Sequence, residues 1–158
     1  MNPATTAALA AIAALLSACG AQRCGPETGE VARVVDGDTV VLRSGETVRY
    51  LLVDTPELSD PPECYGPEAR QANGELVAEQ AVRLRYDMEC EDRYGRLLAF
   101  VTAAGTEVNR VLVERGMACV LRIPPNGAEE APLFERLEAA ARASRRGLWG
   151  ACGRLPPC

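Results

Sequence analysis

The sequence predicts an α+β domain, and the order of its periodic segments is the main reason. Three short β-branched runs separated by turn residues come first, a helical segment and two more strands follow, and two helical segments come last. The chain has 158 residues, of which 47% are hydrophobic, so one domain can form a substantial core. We therefore expect a single folded unit.

Three strands are predicted before the first helix. Residues 31–35 form a β-branched run that leads into Asp36-Gly37-Asp38, and Asp-Gly between apolar runs is a strong hairpin signal. A second strand is predicted over 39–42, and a third over 47–54 after the turn at 44–46. Pro56 ends the third strand, because proline cannot donate to a ladder of backbone hydrogen bonds.

The rest of the chain predicts one helix, two strands and two helices. Residues 67–79 predict a helix, residues 81–88 alternate as in a half-buried strand, and residues 97–103 predict a fifth strand. Helices follow around 108–113 and, most clearly, over 132–146. Five short strands with a helix after the third match a five-stranded OB-type β-barrel with about three packed helices.

Two missing residue types exclude several mechanisms. The chain has no histidine, which rules out Ser-His, Cys-His and His-metal chemistry, and it has no lysine, which rules out a Schiff base. Acid–base work must fall to carboxylates, arginines, tyrosines, cysteines or bound water. The net charge of −5 argues against a nucleic-acid packaging role, but it allows an enzyme that grips one phosphate locally.

The first 18 residues predict a signal peptide. Their apolar run, Ala4 to Leu16, is too short to span a bilayer and ends in Leu16-Ser17-Ala18-Cys19, which resembles a bacterial lipobox. The leading Met1-Asn2-Pro3 lacks a basic residue, so a simple secretory signal or a buried helix stays open. We expect an exported lipoprotein anchored to the membrane at Cys19, periplasmic or at the cell surface, and otherwise secreted. A tether over 19–29, a folded domain over 30–150 and a Cys/Pro tail over 151–158 would follow.

The cysteine count supports export. Lipid on one of the seven cysteines would leave six, an even number that suggests disulfides in an exported chain. Six cysteines allow 15 pairings; position alone suggests Cys152 with Cys158 and Cys64 with Cys90. A zinc site is disfavoured, because no two cysteines have zinc-ribbon spacing and histidine is absent. The candidate disulfide cysteines are Cys24, Cys64, Cys90, Cys119, Cys152 and Cys158.

Polar residues that propensity does not explain fall in segments 36–39, 49–57 and 92–96. Turn chemistry could account for the first segment and a solvated surface for the third. The second is harder to dismiss, because an apolar strand runs into Asp54, and Glu57 follows Pro56. An unpaired buried charge is costly, and a hard cation bound by Asp38, Asp54 and a backbone carbonyl such as that of Thr55 would remove that cost.

One geometric condition follows from this site. In a regular strand Arg49 and Asp54, five positions apart, point to opposite faces of the sheet. Both can serve one site only if the chain bends between them, so the sequence predicts a bulge or sharp bend near residues 51–54.

These segments together resemble the staphylococcal nuclease-like, or thermonuclease, family over roughly residues 31–149. The resemblance implies an OB barrel with helices that works as a monomeric, Ca²⁺-dependent phosphodiesterase on DNA and RNA. It further implies cleavage of the P–O5′ bond, which leaves 3′-phosphate ends. The motifs that carry the resemblance are Asp36-Gly37-Asp38-Thr39, Arg49, Val53-Asp54-Thr55-Pro56-Glu57, Asp92-Arg93-Tyr94-Gly95-Arg96, Val108-Asn109 and Gly147-Leu148-Trp149.

The resemblance also implies roles for individual residues. Asp38 and Asp54 match the Ca²⁺ carboxylates, and Thr55 matches the residue that lends its carbonyl. Glu57 matches the carboxylate that orients or deprotonates the attacking water. The two arginines on the phosphate are matched by Arg49 and Arg96. A phosphate contact and a turn-closing role are equally open for Tyr94.

One departure from the family concerns base binding. The family commonly places tyrosines after the second helix, whereas residues 118–124 here contain no aromatic side chain. Arg122 could stack its guanidinium instead. The alternatives to a nuclease are an inactive nucleic-acid or protein-binding module and a Ca²⁺-stabilised surface lipoprotein. The presence of Arg49, Glu57 and Arg96 together argues against an inactive module.

Overall fold

The computed structural model describes residues 24–153, so the predicted signal peptide, Cys19 and Cys158 lie outside the described residues. Among the described helices, none is both long and apolar enough to span a membrane. The strands are β1 (Thr28–Val34), β2 (Thr39–Leu42), β3 (Thr47–Tyr50), β4 (Ala81–Arg85), β5 (Leu97–Ala103) and β6 (Thr106–Glu107). The helices are α1 (Gly66–Val77), α2 (Val108–Glu114), α3 (Ala131–Ala143) and the single turn α4 (Leu148–Ala151).

Five strands close into a barrel. They lie in the order β3-β2-β1-β4-β5, and parallel pairing between β3 and β5 joins the two edges. The two-residue β6 pairs with Thr102 and Ala103 at the end of β5, beyond the residues that pair with β3. Three main helices pack with this barrel, which confirms the predicted α+β fold of five strands and about three helices. The short β6 and α4 were not predicted.

Strand β1 pairs with two partners along its length. Its first half pairs with β4 and its second half with β2, both antiparallel. A register shift between Val31 and Arg33 separates the two halves. A bulge of this kind increases local twist and lets one strand turn a barrel corner. The strand begins within the segment predicted as a tether, and Tyr86 donates a hydrogen bond of 2.7 Å to the Pro26 carbonyl.

The predicted bend after Arg49 is confirmed. β3 ends at Tyr50 rather than at Asp54, because the chain turns at Leu51 and Leu52. Leu52 has φ of 61°, a left-handed conformation that is uncommon for residues other than glycine. Both leucines are buried, so hydrophobic burial offsets the strain of the turn. The chain thereby returns Asp54 toward Arg49.

Strand β4 is shorter than the alternating pattern indicated. It ends at Arg85, and Met88, an apolar residue of the alternating segment 81–88 and therefore expected on the buried face, is 75% exposed. The alternation in the sequence continues past the last paired residue of β4. The segment that follows leaves this strand and contributes residues to a surface cleft described below. Helices α1 and α3 agree with prediction to within a few residues at each end.

The buried Asn109 joins three parts of the fold. Its side chain is fully buried on α2, and its amide oxygen accepts a hydrogen bond from the Val101 backbone on β5 at 2.8 Å. Its amide nitrogen donates to the carbonyls of Leu51 at 2.9 Å and of Ala99 at 3.3 Å. One side chain therefore satisfies buried backbone groups of the bend and of β5 at once.

The disulfide pairs differ from those suggested by position. Cys24 is bonded to Cys90 and Cys64 to Cys152, so both suggested pairs, Cys64–Cys90 and Cys152–Cys158, are wrong. Cys119 is disulfide-bonded as well. Pairing follows proximity in the closed barrel, where Cys64 meets the C-terminal end of α4, 88 positions away. Such bonds are typical of proteins folded in an oxidising compartment.

We predict that Asn109→Ala lowers the free energy of unfolding by about 3 kcal/mol, because buried backbone groups in the bend and in β5 lose their partner. Urea denaturation followed by the fluorescence of the single tryptophan, Trp149, measures this change. The exposed amide Gln71 serves as the control, and Gln71→Ala should change stability by less than about 0.5 kcal/mol. Equal stability of the two variants would contradict the linking role of Asn109.

Candidate active site

The centre of the site is Arg49, which joins two acidic residues. One terminal amino group forms an ion pair with Asp38 Oδ2 at 2.7 Å and donates a hydrogen bond to the Val53 carbonyl at 2.6 Å. The other donates to Asp54 Oδ1 at 2.9 Å. The arginine side chain is largely buried, with 13% of its surface exposed, so these ion pairs are partly shielded from water.

Asp38 is fixed by hydrogen bonds from several directions. Its Oδ2 accepts from the Thr55 backbone N–H at 2.9 Å and from the Thr55 hydroxyl at 3.0 Å. Its Oδ1 accepts from the Thr39 hydroxyl at 2.9 Å. The carboxylate is buried, and each of these three hydrogen bonds stabilises its charged form. Its orientation is therefore set before any ligand binds.

Three local features bring these residues together. Pairing of β2 with β3 places Arg49 opposite Thr39, next to Asp38. The backbone of Asp54 forms a two-bond antiparallel bridge with Cys119, which holds the chain after the bend. Gly37 is required at the turn, because an added Cβ would lie 2.5 Å from the Thr55 side chain.

Burial disfavours the charge on both carboxylates. Desolvation, only partly offset by the Arg49 guanidinium, raises the pKa of Asp38 to about 7. Burial likewise raises the pKa of Asp54; Arg49 acts against it, and the carboxylates of Glu63 and Asp36 add to it. Arg49 alone thus leaves negative charge at this point incompletely compensated.

The donors present fit a hard divalent cation. Asp38 and Asp54 direct oxygens to the same guanidinium, and within residues 24–153 the Thr55 carbonyl accepts no hydrogen bond. No group of three or more His, Cys, Asp or Glu side chains suited to a metal occurs in the described part of the chain. A cation held here would complete its coordination with backbone and water oxygens, which suits Ca²⁺ and leaves room for a reacting water.

Arg96 is held on a tight turn by Asp92. The carboxylate of Asp92 accepts hydrogen bonds from Arg96 Nε at 2.7 Å and from the backbone N–H groups of Arg96 and Tyr94. Although partial burial acts to raise it, these hydrogen bonds keep the pKa of Asp92 below its ordinary value. Within residues 24–153 the terminal amino groups of Arg96 have no hydrogen-bond partner, so they are available to a ligand.

Arg49 and Arg96 line the same surface cleft, which has a volume of about 490 Å³. Tyr94 stands at its edge, 68% exposed, with the guanidinium carbons of Arg93 and Arg96 at 4.7 and 5.5 Å from its ring centroid. Two exposed aliphatic residues, Leu121 and Ile123, form an apolar wall of the cleft. The cleft therefore combines arginine guanidinium groups with apolar and acidic residues.

Two predicted residues lie apart from this arrangement. Glu57 is exposed, and within the described residues its carboxylate makes no hydrogen bond or ion pair. Arg122 donates to Glu135 on α3 at 3.2 Å and does not line the cleft. The structure thus directs Arg122 away from the surface where a stacking role was expected.

Sequence reasoning did not assign several residues that organise the site. Asp92 precedes Arg96 by four positions within the polar segment 92–96, and that spacing could have identified it. Asn126 joins two segments that line the cleft, because its buried amide exchanges two hydrogen bonds with the Glu89 backbone. Nothing in the local pattern indicated this long-range contact.

Comparisons with known proteins show which family the chain resembles. A family model described as staphylococcal nuclease homologue matches residues 47–151. The chain is 38% identical over 128 residues to Endonuclease YncB of Bacillus subtilis, an alignment covering 77% of this chain and 61% of that protein. It is equally similar to SPbeta prophage-derived endonuclease YokF of Bacillus subtilis, covering 43% of that protein. It is 36% identical over 125 residues to Thermonuclease of Staphylococcus intermedius, covering 75% of this chain and 74% of that protein.

The fold and the paired carboxylate–arginine site define one class of protein, an OB barrel with a surface cleft lined by arginines. The chain belongs to the staphylococcal nuclease family. Its aligned region spans less than two thirds of the length of the two Bacillus subtilis relatives.

The raised pKa of Asp38 predicts a specific pH dependence of stability. Between its ordinary value of 3.8 and about 7, the folded state binds more protons at this group than the unfolded state. Stability from this group is therefore greatest below about pH 4 and is lost as pH rises to about 7. In chelator, the unfolding free energy of the wild type minus that of Asp38→Asn should fall by about 3 kcal/mol from pH 4 to pH 8.

The control for this measurement is Asp60→Asn, which removes an exposed carboxylate. Its unfolding free energy should run parallel to that of the wild type over the same range. If the Asp38→Asn curve also runs parallel, burial does not perturb Asp38 and the electrostatic account of the site is wrong.

Proposed function

We propose that this protein is an exported, Ca²⁺-dependent nuclease that hydrolyses phosphodiester bonds of DNA and RNA, cleaving P–O5′ and leaving 3′-phosphate ends. The observation that carries the proposal is the shared cleft of Arg49 and Arg96, with one buried and one partly buried carboxylate held on Arg49. Family membership and the names of the relatives support the reaction class.

The proposed cation ligands are Asp38, Asp54 and the Thr55 carbonyl. Bound Ca²⁺ would polarise the phosphate and the attacking water. Arg49 is paired with both carboxylates, and within residues 24–153 its Nε–H makes no hydrogen bond, so part of the guanidinium can donate to phosphate without leaving them. A cation that neutralised the two carboxylates would release the remaining donors, which supports a phosphate site that is strengthened by its cation.

Phosphate binding is proposed for Arg49 and Arg96. In-line attack on a phosphodiester spreads negative charge over the equatorial oxygens, and two planar guanidinium groups can each donate two hydrogen bonds to them. Arg96 is suited to this role because Asp92 holds only its Nε. Tyr94 sits beside Arg96 at the cleft edge, which supports a contact with a neighbouring phosphate or sugar.

Glu57 is the proposed residue for the attacking water. Its exposed carboxylate has no partner within residues 24–153, so it is free to accept a proton from a water or to orient one. A carboxylate tied into an ion pair would do this poorly. Among the predicted site residues, Glu57 is therefore the acid whose charge is not already used in the fold.

We predict that the oxidised protein degrades DNA with Ca²⁺ and not with excess chelator. Glu57→Gln and Arg96→Ala should each reduce turnover by about 100-fold or more, because each removes a group that acts mainly in the transition state. Turnover of a defined oligonucleotide across Ca²⁺ concentrations measures both effects.

The matched controls are Glu129→Gln and Arg136→Ala, which make the same chemical changes at exposed positions away from the cleft. Both should retain wild-type turnover. Binding of DNA without any cleavage by the wild type would instead support a binding module, and full activity of Glu57→Gln would refute the role of Glu57.

Export and anchoring are part of the proposal. The lipobox-like Leu16-Ser17-Ala18-Cys19 supports lipid attachment at Cys19, and the disulfides support folding outside the cytoplasm. We predict that a bacterial host fed a labelled fatty acid incorporates label into the full chain, and that Cys19→Ala abolishes it. Incorporation that persists in Cys19→Ala, or none in the wild type, would refute the anchor; the Ser17→Thr variant controls for altered processing.

A further inference from the structure

The backbone of Glu57 is held although its side chain is not. The Glu57 N–H donates to Glu63 Oε2 at 2.7 Å, and the Glu63 N–H donates to the Glu57 carbonyl at 3.0 Å. Glu63 thus contacts both polar groups of the Glu57 backbone. The five residues between them form a small closed loop on the surface.

The far end of this loop is fixed to the rest of the molecule. The Gly66 N–H donates to the Glu63 carbonyl at 3.0 Å, and an added Cβ on Gly66 would lie 2.7 Å from the Glu57 carbonyl oxygen. The next residue after Glu63, Cys64, is bonded to Cys152 at the end of α4. The loop is therefore packed against the start of α1 and tied covalently to the C-terminal helix.

We propose that Glu63 is a positioning residue for Glu57, and that the Cys64–Cys152 disulfide keeps Glu63 in place. The inference rests on the nuclease function proposed above. An exposed carboxylate on a loop has many orientations, and only a few would aim a water at a bound phosphate. The two hydrogen bonds and the disulfide restrict the backbone of the Glu57 loop, and they therefore reduce the number of orientations open to the Glu57 side chain.

Loss of the contact between Glu63 and Glu57 should reduce kcat and leave the stability of the fold nearly unchanged. Hydrogen bonds at exposed positions contribute little to global stability, so loss of the Glu63 contact leaves the barrel intact. Displacement of a reacting group by about 1 Å can reduce turnover about 100-fold. Substrate binding stays with Arg49 and Arg96, so KM should change little.

The decisive comparison is between Glu63→Ala and Glu63→Gln. Glutamine keeps an oxygen that accepts from the Glu57 N–H, whereas alanine does not. We expect kcat to fall about 10-fold or more in Glu63→Ala with KM within about twofold, and Glu63→Gln to retain most of the wild-type kcat. Glu68→Ala, which removes an exposed carboxylate from the first turn of α1, controls for net charge and should match the wild type.

Other outcomes overturn the inference. An equal fall in both Glu63 variants would show that the charge of Glu63, and not its contact with Glu57, matters. Wild-type kcat in Glu63→Ala would show that the contact is dispensable. If the wild type itself does not cleave, the proposed function fails first. Amide hydrogen exchange separates the cases, because the Glu57 amide should exchange faster in Glu63→Ala whether or not the protein cleaves.

The disulfide is tested with Cys64→Ser/Cys152→Ser at a temperature where circular dichroism shows the folded state. We expect kcat to fall, and addition of Glu63→Ala to reduce it by less than the product of the separate effects, because both changes act on one loop. The double variant Cys24→Ser/Cys90→Ser removes a disulfide outside this loop and should not show that coupling. Strictly multiplicative effects at Glu63 and Cys64 would contradict a shared role.

Discussion

The two ion pairs of Arg49 are the interaction on which the site depends. Asp38 precedes β2 and Asp54 follows the bend after β3, so the guanidinium joins the two ends of a hairpin that would otherwise carry a buried and a partly buried negative charge without a partner. Removal of one partner from such a cluster costs more than the cluster contributes, because the remaining charges lose their compensation. The same arrangement places two carboxylates where the proposed cation would bind. A structural need and a binding capacity therefore coincide in one set of residues.

The sequence predicted the fold well where the pattern is local. Strands β2 and β5 have their predicted bounds, because Thr39–Leu42 and Leu97–Ala103 are apolar runs between clear turn signals. It predicted the bend at Leu52 only through the requirement that Arg49 and Asp54 meet. The end of strand β4 was harder to predict, because it depends on where the sheet ends. The disulfide pairs were also harder to predict, because they depend on how the barrel closes. The side chains of Asn109 and Asn126 form hydrogen bonds with backbone groups of other segments, and no local sequence pattern predicts such contacts.

Three disulfide-bonded cysteines, Cys64, Cys90 and Cys119, adjoin segments of the site. Cys64 follows Glu63, Cys90 lies between two cleft-lining glutamates, and Cys119 forms the backbone bridge with Asp54. A small barrel gains stability from cross-links in general, because they restrict the unfolded chain. Their location adds a second effect, since the segments they hold are loops without regular hydrogen-bond ladders. In an oxidising compartment these loops would be ordered, whereas in a reducing one they would rely on isolated contacts.

Under the proposed function, the cleft would hold a nucleotide without aromatic stacking at residues 118–124. Leu121 and Ile123 offer apolar contact that any base can make, and the described residues of that wall provide few groups to distinguish one base from another. Most of the binding free energy would then come from the arginines on phosphate, which is the component most weakened by salt. A chain of net charge −5 adds no long-range attraction to a polyanion. Recognition would therefore depend on the backbone of the nucleic acid near the reacting phosphate, and weakly on its sequence.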